Sequence, residues 1–169
     1  MEKNNQRIKH YILAILVVIA GVVIDQITKH IAVAHLKDQA PFVLIENVFQ
    51  LEYLENRGAA FGLFQNQQLF FMISVIFVTI LILVFYKRVP METKFLPLRI
   101  CAVLILAGAY GNCIDRVRLG YVVDFFYFKL IDFPIFNVAD IYVTVSVAFF
   151  LVLMFFYYKE EDLDRVFHS

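Results

Sequence analysis

Two aspartates stand alone in apolar segments of this chain, and their residue type could support hydrolytic chemistry. Asp124 follows two valines and precedes two phenylalanines, and Asp140 lies in the stretch Phe-Asn-Val-Ala-Asp-Ile that begins at Phe136. An ionised carboxylate in apolar surroundings costs free energy, so an isolated acid there needs a partner or a function. Two carboxyl groups that share one proton can activate water against a peptide carbonyl, as in aspartic proteases.

The two acids have different expected environments. Asn137 follows Pro134 at the start of a predicted helix and Asp140 comes three residues later, a spacing typical of a capping box in which both residues serve only the helix. Asp140 near a helix N-terminus is favoured as the carboxylate, and Asp124 among apolar residues is favoured as the acid. The sequence leaves two interpretations of Asp140 open, a helix cap or one member of a jointly titrating pair.

Further polar residues occur at helical spacing. Asp25 and Lys29 are four residues apart on the first predicted helix, either as an ion pair that fixes packing or in a direct functional role. Asn112 and Arg116 share a face at the end of the third helix. Arg116 either snorkels to the membrane surface or lines a polar pocket with Asn112.

Small residues mark two other positions. Gly108 and its neighbours Ala109 and Gly111 permit two membrane helices to approach closely. Before the second helix, the stretch Asn-Arg-Gly-Ala-Ala-Phe-Gly begins at Asn56 and includes Gly58 and Ala59. Such residues favour a tight turn or a backbone that approaches a ligand, although this motif is weak evidence on its own.

Membrane-spanning helices must position these residues. Hydrophobic residues make up 62% of the 169 residues and charged residues only 18%, which is far more apolar than a soluble domain. Four apolar runs are long enough to cross a hydrocarbon core of about 30 Å; they are residues 11–31, 69–86, 98–114 and 135–158. We predict a single all-α integral membrane domain over residues 1–169, with a small extracytoplasmic β platform. Its two short strands, residues 42–45 and 48–53, lie in the loop 35–68.

The distribution of lysine and arginine predicts the orientation. Basic residues precede the first span, fill the link between the second and third spans, and follow the fourth. Because such residues resist translocation, these segments and both termini are predicted to be cytoplasmic, and the candidate acids lie at the outer boundary. A cleaved signal peptide ending near Ala32-Val33-Ala34 is a weaker interpretation, because Asp25 and Lys29 interrupt the approach to that site.

Several other classes of partner and site have little support. The net charge is zero, so nucleic acid is not an expected partner. Cys101 and Cys113 lie about 18 Å apart on one predicted helix, too far for a disulfide. The histidines are scattered and no zinc motif occurs. We therefore expect no metal and no cofactor.

A small ion- or proton-coupled transport or channel subunit is the alternative function. Asp25, Asp124 and Asp140 would then be relay carboxylates. A relay should distribute its acids through the membrane depth, whereas these three cluster at one predicted boundary. The depth rule therefore favours hydrolysis by a pair of aspartates over a relay.

The sequence resembles the bacterial lipoprotein signal peptidase family, also called signal peptidase II, in five motif blocks that cover nearly the whole chain. The blocks are Asp25 with Lys29; Asn56-Arg57-Gly58-Ala59-Ala60-Phe61; Gly108, Gly111-Asn112 and Asp115-Arg116; Val122-Val123-Asp124-Phe125; and Phe136-Asn137-Val138-Ala139-Asp140. The resemblance implies an aspartyl endopeptidase of the bacterial cytoplasmic membrane. It would act on prolipoproteins, cutting on the N-terminal side of a cysteine that carries diacylglyceryl.

The same resemblance implies roles for individual residues. Asp124 and Asp140 match the catalytic dyad. A polar pocket for the substrate backbone, or for the cyclic peptide antibiotic globomycin, is implied at Asn56, Asn112, Arg116 and Asn137. The supporting positions are Asp25, Lys29, Gly58, Ala59 and Gly108. Two departures, Tyr110 in place of the usual Leu and Ile141-Tyr142 where a Ser is common, leave the dyad untouched but can alter pocket shape or inhibitor fit.

Overall fold

The computed structural model describes residues 2–58 and 67–167. Its helices are α1 (Glu2–Leu36), α2 (Gln68–Arg88), α3 (Leu96–Leu119), α4 (Val138–Val152) and α5 (Glu160–Phe167), and its strands are β1 (Phe42–Ile45), β2 (Phe49–Asn56) and β3 (Val122–Tyr127). Short 3-10 turns lie at Thr93–Phe95 and Lys129–Ile131, and α4 continues into a π-helical turn at Leu153–Tyr157.

Within the described ranges, four helices are long and apolar enough to cross a membrane. They are Gln6–Leu36, Gln68–Arg88, Thr93–Leu119 and Val138–Tyr157. Their outward surfaces carry large hydrophobic side chains, as expected where lipid replaces water; Ile15 is 59% exposed. The predicted fold class, a four-helix membrane protein with a small sheet, is confirmed. The fourth span begins at Val138, three residues after the predicted start at about residue 135, because the chain before Val138 is extended and pairs with β3.

Small residues bring α1, α3 and α4 together. A Cβ atom on Gly108 would collide with the carbonyl oxygen of Ala139 in α4, and one on Gly111 would lie 2.5 Å from Asp25 Oδ2 of α1. The hydrophobic effect does not hold helices together in lipid, so their association depends on van der Waals contacts between closely approaching backbones. These three helices form a tight core, and α2 packs mainly on α3.

An antiparallel sheet in the order β1-β2-β3 lies at one end of the bundle, which we call the sheet end. β1 occupies the residues predicted for the first strand, and β2 begins one residue later than predicted and runs on to Asn56. The sequence did not predict β3. The first four residues of β3 are all buried, so the alternation of polar and apolar residues that signals a half-buried strand is missing.

The pairing of β3 explains how the two aspartates meet. On one side, Val122 pairs with Asn56 and Asp124 pairs with Leu54 in β2. On the other side, Phe126 N donates to Phe136 O at 2.8 Å and Phe136 N donates to Phe126 O at 3.0 Å. This second pairing carries the chain from the sheet straight into the first turn of α4.

The end opposite the sheet is closed by α5, a short helix that the sequence did not predict. Val166 of α5 is fully buried in a cluster with Phe95 and Leu98, at the start of α3. Lys94 and Asp162 form an ion pair of 2.5 Å between the α2–α3 link and α5. The last turn of the chain therefore packs back onto the bundle.

Candidate active site

Asp124 and Asp140 belong to one hydrogen-bond network at the sheet end. Asp124 is only 1% exposed, and it accepts from Asn56 Nδ2 at 2.8 Å and from Asn137 Nδ2 at 2.6 Å. Asp140 accepts from Asn112 Nδ2 at 2.8 Å and from Asn137 N at 3.1 Å. Asn137 thus contacts both acids, and both acids line the same cavity.

The capping role and the site role of Asp140 coexist. Asn137 Oδ1 accepts from Asp140 N at 3.0 Å, and Asp140 Oδ2 accepts from Asn137 N, which completes a capping box at the start of α4. The other carboxylate oxygen, Oδ1, accepts from Asn112. The Asn137 side chain also has two roles. Its amide oxygen caps the helix, and its amide nitrogen donates to Asp124.

The environment of Asp124 favours its protonated form. Burial, reinforced by the negative charge of Asp140, raises the pKa of Asp124 from 3.8 to about 7, although the Asn56 and Asn137 donors act in the opposite direction. Asp124 therefore keeps its proton to a higher pH than a free aspartate does. Asp140 lies in the first turn of α4.

Two cavities meet at these residues. The first has a volume of about 430 Å³ and lies between β3, the segment 133–136 and α4; its polar lining is Asn56, Asn112, Arg116, Asp124, Asp140 and Thr144. The second, of about 270 Å³, runs between α2, α3 and α4 and shares Asn112, Arg116, Asp140 and Thr144 with the first. Two carboxyl groups at the junction of largely apolar cavities suit acid-base chemistry on an apolar ligand.

Arg116 lines both cavities, which supports the pocket interpretation over snorkelling. Its Nη2 donates to Gly58 O at 3.1 Å, and its guanidinium lies 4.0 Å from the centroid of the Phe71 ring. Gly58 N in turn donates to Asn56 Oδ1 at 3.0 Å. The turn at Gly58 therefore links the Asp124 donor Asn56 to Arg116.

Behind the two acids, a buried cation holds α1 on α3. Lys29 Nζ lies 2.9 Å from Asp25 Oδ2 and 3.0 Å from Asp115 Oδ2, and it donates to Asn112 Oδ1 at 2.8 Å. Because Asn112 Oδ1 faces Lys29, the amide nitrogen of Asn112 faces Asp140. The Asp25–Lys29 pair is thus a packing ion pair that also orients a residue of the site.

Two further residues belong to this buried network: Asp115, which occurs in one of the motif blocks but was given no role, and Gln26, which was not predicted. Asp115 is 3% exposed and accepts from Val123 N at 3.2 Å, and Gln26 Nε2 donates to Asp115 Oδ1 at 2.7 Å. Both stand beside predicted site residues in apolar helices, which was the available signal. The predicted Asp25 has a further role, since its Oδ1 accepts from Ala139 N at 3.0 Å in the first turn of α4.

The remaining predicted positions are less central. Gly108 lines the second cavity and allows α3 to approach α4. Thr144 lines both cavities and was not predicted. Ala59 lies outside the described residues. Across the parts of the chain that the structure covers, no group of three or more His, Cys, Asp and Glu side chains converges to hold a metal ion.

The sequence comparisons all match signal peptidases. The sequence model of the peptidase A8 family, described as signal peptidase (SPase) II, matches residues 17–156. The lipoprotein signal peptidase of Clostridium tetani (strain Massachusetts / E88) is 41% identical over 155 residues, which are 90% of this chain and 96% of that protein. The lipoprotein signal peptidase of Streptococcus thermophilus (strain CNRZ 1066) is 45% identical over 145 residues, 86% of this chain and 92% of that protein.

Solved structures agree with this pattern. A bacterial membrane enzyme determined by the in meso method at 1.9 Å resolution aligns with a TM-score of 0.73 and 32% identity, covering 86% of this chain and 94% of that chain. A second structure obtained by the same method at 2.3 Å resolution gives a TM-score of 0.72. The comparisons support a multi-pass membrane peptidase, and they give no support to the transport alternative.

Proposed function

The chain belongs to the signal peptidase II family, and on this premise we propose that it is an aspartyl endopeptidase. Its substrates are prolipoproteins whose cysteine carries diacylglyceryl, and it cuts on the N-terminal side of that cysteine. The observation that carries the aspartyl mechanism is the bridge formed by Asn137, which hydrogen-bonds to both Asp124 and Asp140 where two apolar cavities meet.

The first half of the proposed reaction uses the single proton of the pair. Asp140, as carboxylate, removes a proton from a water molecule, and the oxygen of that water attacks the scissile carbonyl carbon. Asp124, as acid, gives its proton to the carbonyl oxygen, so a neutral tetrahedral diol forms. At this point Asp124 is ionised and Asp140 is protonated.

The second half restores both groups. Asp140 donates its proton to the nitrogen of the cysteine, the carbon–nitrogen bond breaks, and Asp124 takes a proton from one hydroxyl of the diol as the carbonyl re-forms. No metal is needed, because the two carboxyl groups supply every proton transfer.

The substrate backbone binds to amide and guanidinium groups around the dyad. The donors and acceptors proposed for this contact, and for globomycin-type inhibitors, are Asn56, Asn112, Arg116 and Asn137. Each is already oriented by a neighbour; Asn112, for example, is oriented by Lys29. Such fixed polar groups lower the cost of ordering an extended peptide.

Orientation in the membrane completes the proposal. The protein lies in the bacterial cytoplasmic membrane with both termini in the cytoplasm, so the sheet end and the dyad face outward. The basic residues at the opposite end of the bundle support this direction, because they resist translocation.

Cleavage of a lipidated precursor in detergent micelles tests the proposal. Two synthetic precursors, identical except for diacylglyceryl on the cysteine, are partitioned to equal micellar concentration and incubated with the purified protein. We expect a cut before the lipidated cysteine and far slower cleavage of the unmodified peptide, because the buried chains, at about 0.8 kcal/mol per methylene, hold the bond at the dyad. Equal rates would show that lipid does not position the substrate, and absence of any cut would refute the activity.

A further inference from the structure

α2 forms one wall of the second cavity, the groove between α2, α3 and α4. Its contribution to the lining consists of Phe71, Ser74, Val75 and Val78. α4 faces it across the groove through Val143 and Thr144, and α3 contributes the floor. Because α2 packs mainly on α3, its position on α3 sets the width of the groove.

One hydrogen bond ties α2 to α3 in the middle of their spans. The Thr79 hydroxyl oxygen lies 2.7 Å from Val75 O and 3.1 Å from the hydroxyl oxygen of Tyr110. A hydroxyl has a single proton, and that of Thr79 goes to the closer carbonyl acceptor in its own helix, so the Tyr110 phenol donates to Thr79 Oγ1. Helix association in lipid depends on packing and on such interhelical bonds.

This bond lies beside the deep end of the groove, behind its lining residues. Thr79 follows Val78 and Tyr110 follows Ala109, and both Val78 and Ala109 line the groove. From Phe71 to Val78 the groove extends about 10 Å along α2, since each helical residue rises 1.5 Å.

The course of the groove indicates its occupant. It starts at Asn112, Arg116 and Asp140 and runs away from the sheet end to Gly108 and Val78, between residues that are mainly apolar or small. The bond that the proposed reaction breaks lies next to the lipidated cysteine, so the glyceryl group and its acyl chains leave the substrate close to the dyad. A chain leaving the dyad toward the membrane interior follows this groove.

We propose that the groove holds one acyl chain of the diacylglyceryl group, and that Tyr110, through Thr79, is a positioning residue that sets the width of its deep end. The inference rests on the proposed function and adds the acyl-chain site and its selectivity. Tyr110 touches neither the dyad nor the scissile bond. Its loss therefore acts on substrate binding and leaves the chemical step unchanged.

The test compares Tyr110→Phe and Thr79→Val with the unaltered protein on two precursors, one dipalmitoyl and one diacetyl. Interhelical hydrogen bonds in membranes average about 0.6 kcal/mol, which corresponds to about a threefold change in affinity. We expect each variant to raise KM about threefold for the dipalmitoyl precursor with kcat unchanged, and to leave the shorter chains, which do not reach the deep end, unaffected. The double variant should equal either single variant, because both remove the same bond.

Tyr86→Phe is the matched control. It removes a phenol that lies 3.4 Å from His10 O, a contact that joins α2 to α1 away from the groove. We expect it to leave the preference between the two precursors unchanged. The near-isosteric Thr79→Val variant keeps the test decisive even where Tyr110→Phe lowers expression.

The outcomes separate the two proposals. Equal loss on both precursors, or an unchanged preference in both variants, overturns the role of Tyr110. A preference that responds to the length of the apolar segment of the signal peptide, and not to acyl length, assigns the groove to that segment and overturns the acyl-chain site. Failure of the unaltered protein to cut either precursor refutes the proposed function itself.

Discussion

Lys29 donates a hydrogen bond to Asn112 Oδ1 at 2.8 Å, and the same lysine lies within 3.0 Å of two buried carboxylates, Asp25 and Asp115. One cation thus bridges two carboxylates inside the α1–α3 interface and orients an amide that donates to Asp140. Stability and the geometry of the site depend on the same side chain.

Lys29→Met should therefore lower both the stability of the fold and the peptidase activity. The substitution leaves Asp25 and Asp115 without their cation in a buried site, a change that typically destabilises by about 3–5 kcal/mol. We expect a large fall in thermal unfolding temperature in detergent, with loss of peptidase activity in the fraction that remains folded. Lys37→Met is the control, since Lys37 pairs with Glu55 at a solvent-accessible site, where an ion pair contributes little to stability. Similar unfolding temperatures for the two variants would contradict the role of Lys29.

Asp124→Asn and Asp140→Asn should each give a folded, membrane-inserted and inactive protein. Asparagine keeps the size and most hydrogen-bonding atoms of the carboxyl group but cannot take or give the catalytic proton. Turnover of a lipidated precursor measures the loss, and thermal unfolding shows that the fold survives. Asp132→Asn makes the same change at an exposed residue that accepts from the Tyr127 hydroxyl at 2.6 Å, and we expect it to retain activity. Near-normal turnover in either dyad variant would exclude the aspartyl mechanism.

The raised pKa of Asp124 predicts a pH dependence of both activity and stability. Between pH 3.8 and about 7 the folded protein keeps a proton that the unfolded chain loses, so this contribution to stability is complete at lower pH and declines as the pH rises through about 7. Asparagine has no proton to lose. The unfolding temperature of Asp124→Asn, measured relative to that of the unaltered protein, should therefore increase as the pH rises. This difference should level off above about pH 7. For the unaltered enzyme, kcat/KM should fall on the alkaline side of that value.

A constant difference in unfolding temperature across this pH range would show that Asp124 does not hold the proton. The same difference measured for Asp132→Asn provides the baseline, because Asp132 is exposed at the end of a short turn.

Arg116→Lys should weaken binding of substrate or globomycin more than it weakens folding. The planar guanidinium donates to Gly58 O while it lies over the Phe71 ring, and a lysine ammonium cannot reproduce both contacts with further donors left for a ligand. We expect a raised KM and a raised inhibition constant, with little change in unfolding temperature. Arg118→Lys, the same change two residues further along at an exposed position, should alter neither. An unchanged inhibition constant with a lower unfolding temperature would indicate a purely structural role for Arg116.

The amino-acid sequence by itself determined the membrane class and the number of spans. Runs of apolar residues must be about 20 residues long to cross a bilayer, so length and composition alone identify them. It also singled out Asp124 and Asp140, because an ionised carboxylate among apolar side chains raises the free energy of the fold unless it has a partner or a function. The capping box at Asn137 followed from a three-residue spacing, which is local information that a sequence carries directly.

Only the tertiary structure decided how these residues meet. β3 is buried from Val122 to Phe125 and so lacks the alternation that marks a strand, yet its pairing with β2 and with Phe136 brings Asp124 to the start of α4. Lys29 and Asp115 lie far apart in sequence, and nothing in the local pattern of either one indicates that they share a buried site. Contacts between distant segments depend on how whole helices and strands pack. The sequence therefore predicts the spans, which are local features, but it does not predict the hydrogen bonds around the dyad.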